Sequence, residues 1–176
     1  MRPHRLAPNR ILGIDPGLNT TGYGVIEADG PKIRLCEAGV IRSRAKAPIE
    51  KRLEEIFSGI QEVLAEHSPQ LVALEQLFSH YDRPRTAILM GHARGVICLA
   101  AAQAGLEIVH YEPTRVKKVM TGNGRAPKHQ IQLAVQGQLG LSAVPEPADV
   151  ADALAIAICG HHLGSGSMIE KLTGSP

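Results

Sequence analysis

The sequence has no tryptophan, and only two phenylalanines and three tyrosines. Its core must therefore be aliphatic, and each ring invites a question about its purpose. Cysteine is scarce as well: Cys36, Cys98 and Cys159 lie far apart, with no CxxC pair. That argues against a disulfide framework or a zinc site and fits reduced, mostly buried thiols in a cytoplasmic protein. No stretch approaches the ~18 apolar residues of a membrane span, so no membrane partner is expected. After the basic start, Met1 to Arg10, only four apolar or small residues precede Asp15, so no secretory leader is expected. Strong charge of one sign is also missing. The net charge is +2, too small by itself to announce a nucleic-acid partner.

What is present is a chain of 176 residues, 44% apolar, enough for one domain with a real core. There is no repeat and no linker. Residues 1–9 read as a disordered basic extension, 10–163 as the domain, and 164–176 as a frayed tail rich in Gly and Ser.

Ile11–Asp15, Tyr23–Glu27 and Lys32–Ile41 read as three strands, with Asp29-Gly30 as a hairpin signal between the last two. Short turns make this start antiparallel. Pro48 opens a helix with Ile49, Leu53, Ile56, Phe57, Ile60, Val63 and Leu64 at helical spacing. Phe57 falls on its apolar face and reads as core. Strand Leu71–Glu75, a small and apolar helix over Thr86–Ala104 stopped by Gly105, and strand Leu106–Tyr111 follow. A short basic helix from Pro113, a helix over Lys128–Leu139 and a last apolar helix around Asp149–Cys159 complete the chain. The order predicts an α/β domain with a five-stranded mixed sheet, three strands antiparallel and then parallel ones, flanked by helices.

Two aliphatic strands end in a carboxylate, Asp15 and Glu75. Asp15 stands before Pro16-Gly17, where it either accepts backbone N–H groups in the turn or aims at a cation. The last helix opens with Asp149 and Asp152, three apart and on one face. One of them, Asp149, is also placed to cap the helix. Carboxylates converging from strand ends and a helix would repel without a divalent cation, and all-oxygen ligands suit Mg²⁺ or Mn²⁺. Two such ions ~4 Å apart can activate water and stabilise the leaving oxygen of a phosphodiester.

Positive charge is concentrated. Residues 112–129 carry Arg115, Lys117, Lys118, Arg125 and Lys128 against Glu112, and residues 80–94 carry Arg83, Arg85 and Arg94 against Asp82. Each patch is either a solvated face or part of a phosphate-tracking groove. Lys128, beside His129 at a helix start, is either a surface lysine or a group that stabilises phosphate charge in the transition state. Phe78, in a polar loop, is either core or a ring for an unpaired base, with Tyr81 a weaker candidate.

Ile-Leu-Gly-Ile-Asp-Pro-Gly at 11–17 with Gly22-Tyr-Gly24, Leu74-Glu-Gln-Leu-Phe78, Gly91-His-Ala-Arg-Gly95 and Ala148-Asp-Val-Ala-Asp-Ala-Leu154 together resemble RuvC, the bacterial Holliday-junction resolvases. The blocks stand in family order from Arg10 to about His162. The resemblance implies a ribonuclease H-like fold acting as a homodimer on four-way DNA junctions. It implies that Asp15, Glu75, Asp149 and Asp152 bind Mg²⁺ or Mn²⁺, two ions per subunit, that Phe78 engages bases, and that Lys117 and Lys128 contact DNA. It also implies RuvA and RuvB, the branch-migration proteins, as partners. The loop after Phe78, through Arg83 and Arg85, departs from the family pattern. Rival readings are a ribonuclease H-like nuclease on another structured nucleic acid, a non-catalytic junction-binding module, and an actin-like ATP-binding domain. The last needs two halves, for which the chain is short.

Overall fold

A computed structural model describes residues 9–77 and 84–173. Its elements are β1 (Asn9–Asp15), β2 (Thr20–Asp29), β3 (Lys32–Arg42), α1 (Ile49–His67), β4 (Leu71–Glu75), α2 (Pro84–Gln103), β5 (Glu107–Tyr111), α3 (Pro113–Thr121), α4 (Lys128–Leu139) and α5 (Ala148–Thr173). The strands form one mixed sheet in the order β3-β2-β1-β4-β5. β1 pairs antiparallel with β2 and parallel with β4, β2 pairs antiparallel with β3, and β4 pairs parallel with β5. The carboxyl ends of β1, β4 and β5 therefore share one edge of the molecule.

Side chains alternate across this sheet, as strand geometry requires. Leu12, Ile14, Val25, Val72 and Leu74 face a core formed with α1 and α2. Ile11, Ile26, Leu71 and Ala73 face a second core formed with α3, α4 and α5. Phe57 packs against the first core. The same alternation assigns Asp15 and Glu75, one step beyond Ile14 and Leu74, to the α5 face.

α5 lies directly on β1 and β2 because small residues make room. A Cβ on Gly13 would sit 2.1 Å from the Ala153 carbonyl oxygen, and one on Gly22 would sit 2.1 Å from that of Asp149. Gly22 is also the cross-strand partner of Asp15. The glycines thus bring the first turn of α5 against the end of β1.

Several local features differ from the sequence reading. The hairpin's two-residue loop is Gly30-Pro31, since Asp29 pairs with Lys32. Gly30 has φ +58°, so the Gly at the first central position supplies the positive φ that tight hairpins need. β2 begins at Thr20, three residues ahead of the Tyr23 start read from the sequence. Cys36 is exposed rather than buried. Val25 pairs with Glu37 and Ile26 with Leu35, which makes Cys36 the extra residue of a bulge in an edge strand. α2 starts at Pro84, so Arg85 is helical rather than in a loop. α5 begins at Ala148, so Asp149 lies inside its first turn, favoured there by the helix dipole, and not at the cap. α5 is helical from Ala148 to Thr173. Among the described residues, no helix is long and apolar enough to cross a membrane.

Candidate active site

The turn after β1 is closed by hydrogen bonds from Thr21 and from Ser43, just past β3. The buried Thr21 hydroxyl donates to the Gly17 carbonyl at 2.7 Å, and Ser43 N–H donates to the Asn19 carbonyl at 3.1 Å. Asp15 is left to face its neighbours across the sheet and on α5. Burial, then Glu75, Asp152 and Asp149 in that order, push its carboxyl up to about 8, against a weaker opposing pull from Lys128. Glu75 is also raised, first by burial and then by Asp152, while a hydrogen bond with Asp15 and the charges of Lys117 and Lys128 act the other way. The Asp15–Glu75 contact fits a protonated carboxyl donating to a carboxylate, the usual outcome when two buried acids share a site.

Asp152 finds a different partner. Lys128, the first residue of α4, places Nζ 2.7 Å from Asp152 Oδ2, with the lysine side chain 56% and the aspartate side chain 29% exposed. This bond, followed by the charges of Asp152, Asp149 and Asp15, raises the Lys128 ammonium above its ordinary range. A cation at a helix N-terminus opposes the helix dipole, and its acidic surroundings offset that cost.

Three elements, β1, β4 and α5, therefore bring the four acids into mutual electrostatic contact, with Lys128 from α4 and Lys117 from α3 beside them. Among the described residues, no three Asp, Glu, His or Cys side chains already surround one point as metal ligands. The physical reason is visible in the contacts. Asp152 is drawn to Lys128, and Asp15 and Glu75 are bonded to each other. The donor set itself, carboxylate oxygens and nothing softer, suits Mg²⁺ or Mn²⁺. A divalent cation would offset the repulsion that pushes Asp15 up.

The other candidates divide. Lys118 and Arg125 are exposed on α3 and on the loop before α4, and Arg85 is exposed in the first turn of α2. None of the three is among the groups that act most on Asp15 or Glu75. Phe78, Tyr81 and Arg83 lie outside the described residues. Arg94, counted from sequence with the basic patch, is half-buried instead, and its Nε donates to the Glu75 carbonyl at 3.1 Å. Sequence reasoning missed this contact. The one available signal was its place in the Gly91–Gly95 block.

A mixed sheet in this order, with carboxylates at the ends of its central parallel pair and on the last helix, defines a ribonuclease H-like nuclease fold. The family model described as "Crossover junction endodeoxyribonuclease RuvC" matches residues 11–161. A protein of that name from Rhodopirellula baltica is 69% identical over 162 residues, 92% of this chain and 91% of the relative. Among solved structures, "Thermus thermophilus RuvC structure" superposes with a TM-score of 0.82 at 35% identity, over 90% of this chain and 96% of the other. "T. thermophilus RuvC in complex with Holliday junction substrate" gives 0.81 at 32% identity, over 89% and 96%. The chain belongs to the RuvC family of crossover junction endodeoxyribonucleases.

Proposed function

We propose that Asp15, Glu75, Asp149 and Asp152 hold Mg²⁺ or Mn²⁺, two ions per subunit, and that hydrolysis of the junction strands takes place over them. The activity follows from family membership. The chain is an endonuclease that resolves four-way (Holliday) DNA junctions in recombination and repair. The observation that carries the metal reading is Asp15, an acid pushed up to about 8 by burial and by carboxylates from two other elements. When bound, the ions supply an acidified water for attack and positive charge for the leaving oxygen.

The protein's own groups divide the remaining work. The four acids would hold the ions where the ends of β1 and β4 meet the first turn of α5. Lys128, paired with Asp152 at the same site, would stabilise the negative charge that grows on the phosphate. Lys117, Lys118, Arg125 and Arg85 track the DNA backbone, and Phe78 stacks on or wedges between bases at the crossover.

The family's paired cuts on a two-fold substrate favour a homodimer. A surface for it is available on α2, where Ile88 is 62% and Leu99 is 50% exposed. Gly91 and Gly95 lie between them on the same stripe, and added Cβ atoms there would meet nothing within 4 Å. Partnership with RuvA and RuvB, cytoplasmic location and a nuclease domain spanning 10–163 belong to the same reading.

The test is a synthetic four-way junction incubated with and without Mg²⁺ or Mn²⁺. Asp15→Asn is expected to bind the junction and leave it uncut. Cleavage at the normal rate by that variant would end the metal-site reading.

A further inference from the structure

Both polar groups of the peptide that follows Glu75 are tied down. Its N–H, from Gln76, donates to the Tyr111 carbonyl at 2.8 Å, on the β5 side. Its carbonyl, on Glu75, accepts from Arg94 Nε at 3.1 Å. β1 is poorly placed to serve that carbonyl. The β1–β4 pairing ends at Ile14–Leu74, and two residues further along the chain is Pro16, which has no N–H to give. Arg94 takes over where the ladder stops.

Arg94 is itself held. Its Nη2 lies 2.5 Å from His110 Nδ1. A guanidinium only donates, so this ring nitrogen accepts and the imidazole is neutral. Arg94 belongs to α2 and His110 alternates with Ile108, which faces the α1–α2 core. The pair therefore reaches the end of β4 from the face opposite the four acids. The charges that move the Glu75 carboxyl most are Asp152, Lys117 and Lys128. Arg94 bonds the Glu75 backbone instead.

We propose that Arg94, braced by His110, is a positioning residue that sets the backbone angle from which Glu75 presents its carboxylate to the metal site. The inference rests on reading Glu75 as a cation ligand. Anchoring of this indirect kind matters because Glu75 is the last residue of its strand and the β1–β4 ladder stops one residue earlier.

The test uses the full chain with Arg94→Ala, Arg94→Lys, His110→Ala and Glu75→Gln. Three quantities are read: Mn²⁺ affinity by calorimetry without DNA, single-turnover cleavage of a four-way junction across Mn²⁺ concentrations, and junction affinity in EDTA. Arg94→Ala is expected to lose about 10–100-fold in Mn²⁺ affinity and in rate at limiting Mn²⁺, as outer-shell partners of metal ligands do. Its rate should recover in part at saturating Mn²⁺, with junction affinity unchanged. Arg94→Lys, which cannot span both acceptors, and His110→Ala should shift the same way by less. If Arg94→Ala does not fold, these two variants decide. Unchanged Mn²⁺ affinity in the folded variants overturns the proposal. So does a loss of rate matched by an equal loss of junction binding, which would make Arg94 a DNA contact. If Glu75→Gln keeps full Mn²⁺ affinity, the metal-site reading has failed, and not this inference alone.

Discussion

The β1–β2 hairpin carries a carboxylate at each end, and the two are treated in opposite ways. At one end Arg10 pairs with Glu27, and at the other Asp15 pairs with Gly22. Glu27 is only 7% exposed, yet it accepts from Arg34 Nε at 2.8 Å and Arg10 Nε at 3.3 Å. These bonds, the one from Arg34 foremost, hold its carboxyl below the usual glutamate range. Asp15 is surrounded by Glu75, Asp149 and Asp152 and is pushed up to about 8. A buried acid answered by two arginines is a structural element. A buried acid left among other acids destabilises the fold by itself, and such perturbation is characteristic of functional sites.

The sharpest break in that comparison is expected from substitution. Asp15→Asn should abolish junction cleavage and keep junction binding, measured side by side on one labelled four-way substrate. Glu27→Gln should cut at close to the normal rate and melt at a lower temperature.

Next in size is Gly22→Ala. The new methyl would lie 2.1 Å from the Asp149 carbonyl oxygen, so α5 must move. Overpacking of this kind costs about 1–3 kcal/mol or more. Both melting temperature and Mn²⁺ affinity should fall, because the helix carries two of the proposed ligands.

The pH dependence of stability should have opposite signs at the two ends. Between 3.8 and about 8 the folded chain keeps a proton on Asp15 that the unfolded chain has released. Folded protein then binds more protons, so in EDTA this group's contribution to stability falls as pH rises through that window. Asp15→Asn should flatten the slope. Glu27 contributes stability above its ordinary 4.5 and loses it as pH falls through its lowered folded value. Melting curves from acid to mildly alkaline pH check both.

The smallest effect is a control. Gly137 lies inside α4 with nothing within 4 Å of an added Cβ. Gly137→Ala should stabilise by roughly 0.5–1 kcal/mol through helix propensity alone and leave cleavage unchanged.

Much of this was legible in the sequence, for identifiable reasons. Asp15 and Glu75 stood out because each closes a short aliphatic run; that both lie on one sheet face follows from the β1–β4 register, with Ile14 beside Leu74. Asp149 and Asp152 stood out because the rest of their helix is apolar. What could not be read depended on contacts between distant segments. The Lys128–Asp152 pair joins α4 to α5, and nothing in either segment names the other. Arg94 looked like one more surface cation, since sequence does not tell which side of α2 meets the strand ends. The bulge that exposes Cys36 depends on the register of β3 against β2, which local pattern does not specify.

The most direct measurement is a calorimetric titration of Mn²⁺ into the DNA-free chain and its variants. The expected result is saturable binding in the parent and in Glu27→Gln, with severe weakening in each of Asp15→Asn, Glu75→Gln, Asp149→Asn and Asp152→Asn. Parent-like affinity in the Asp15 and Asp152 variants would contradict a cation site shared by the strand ends and α5.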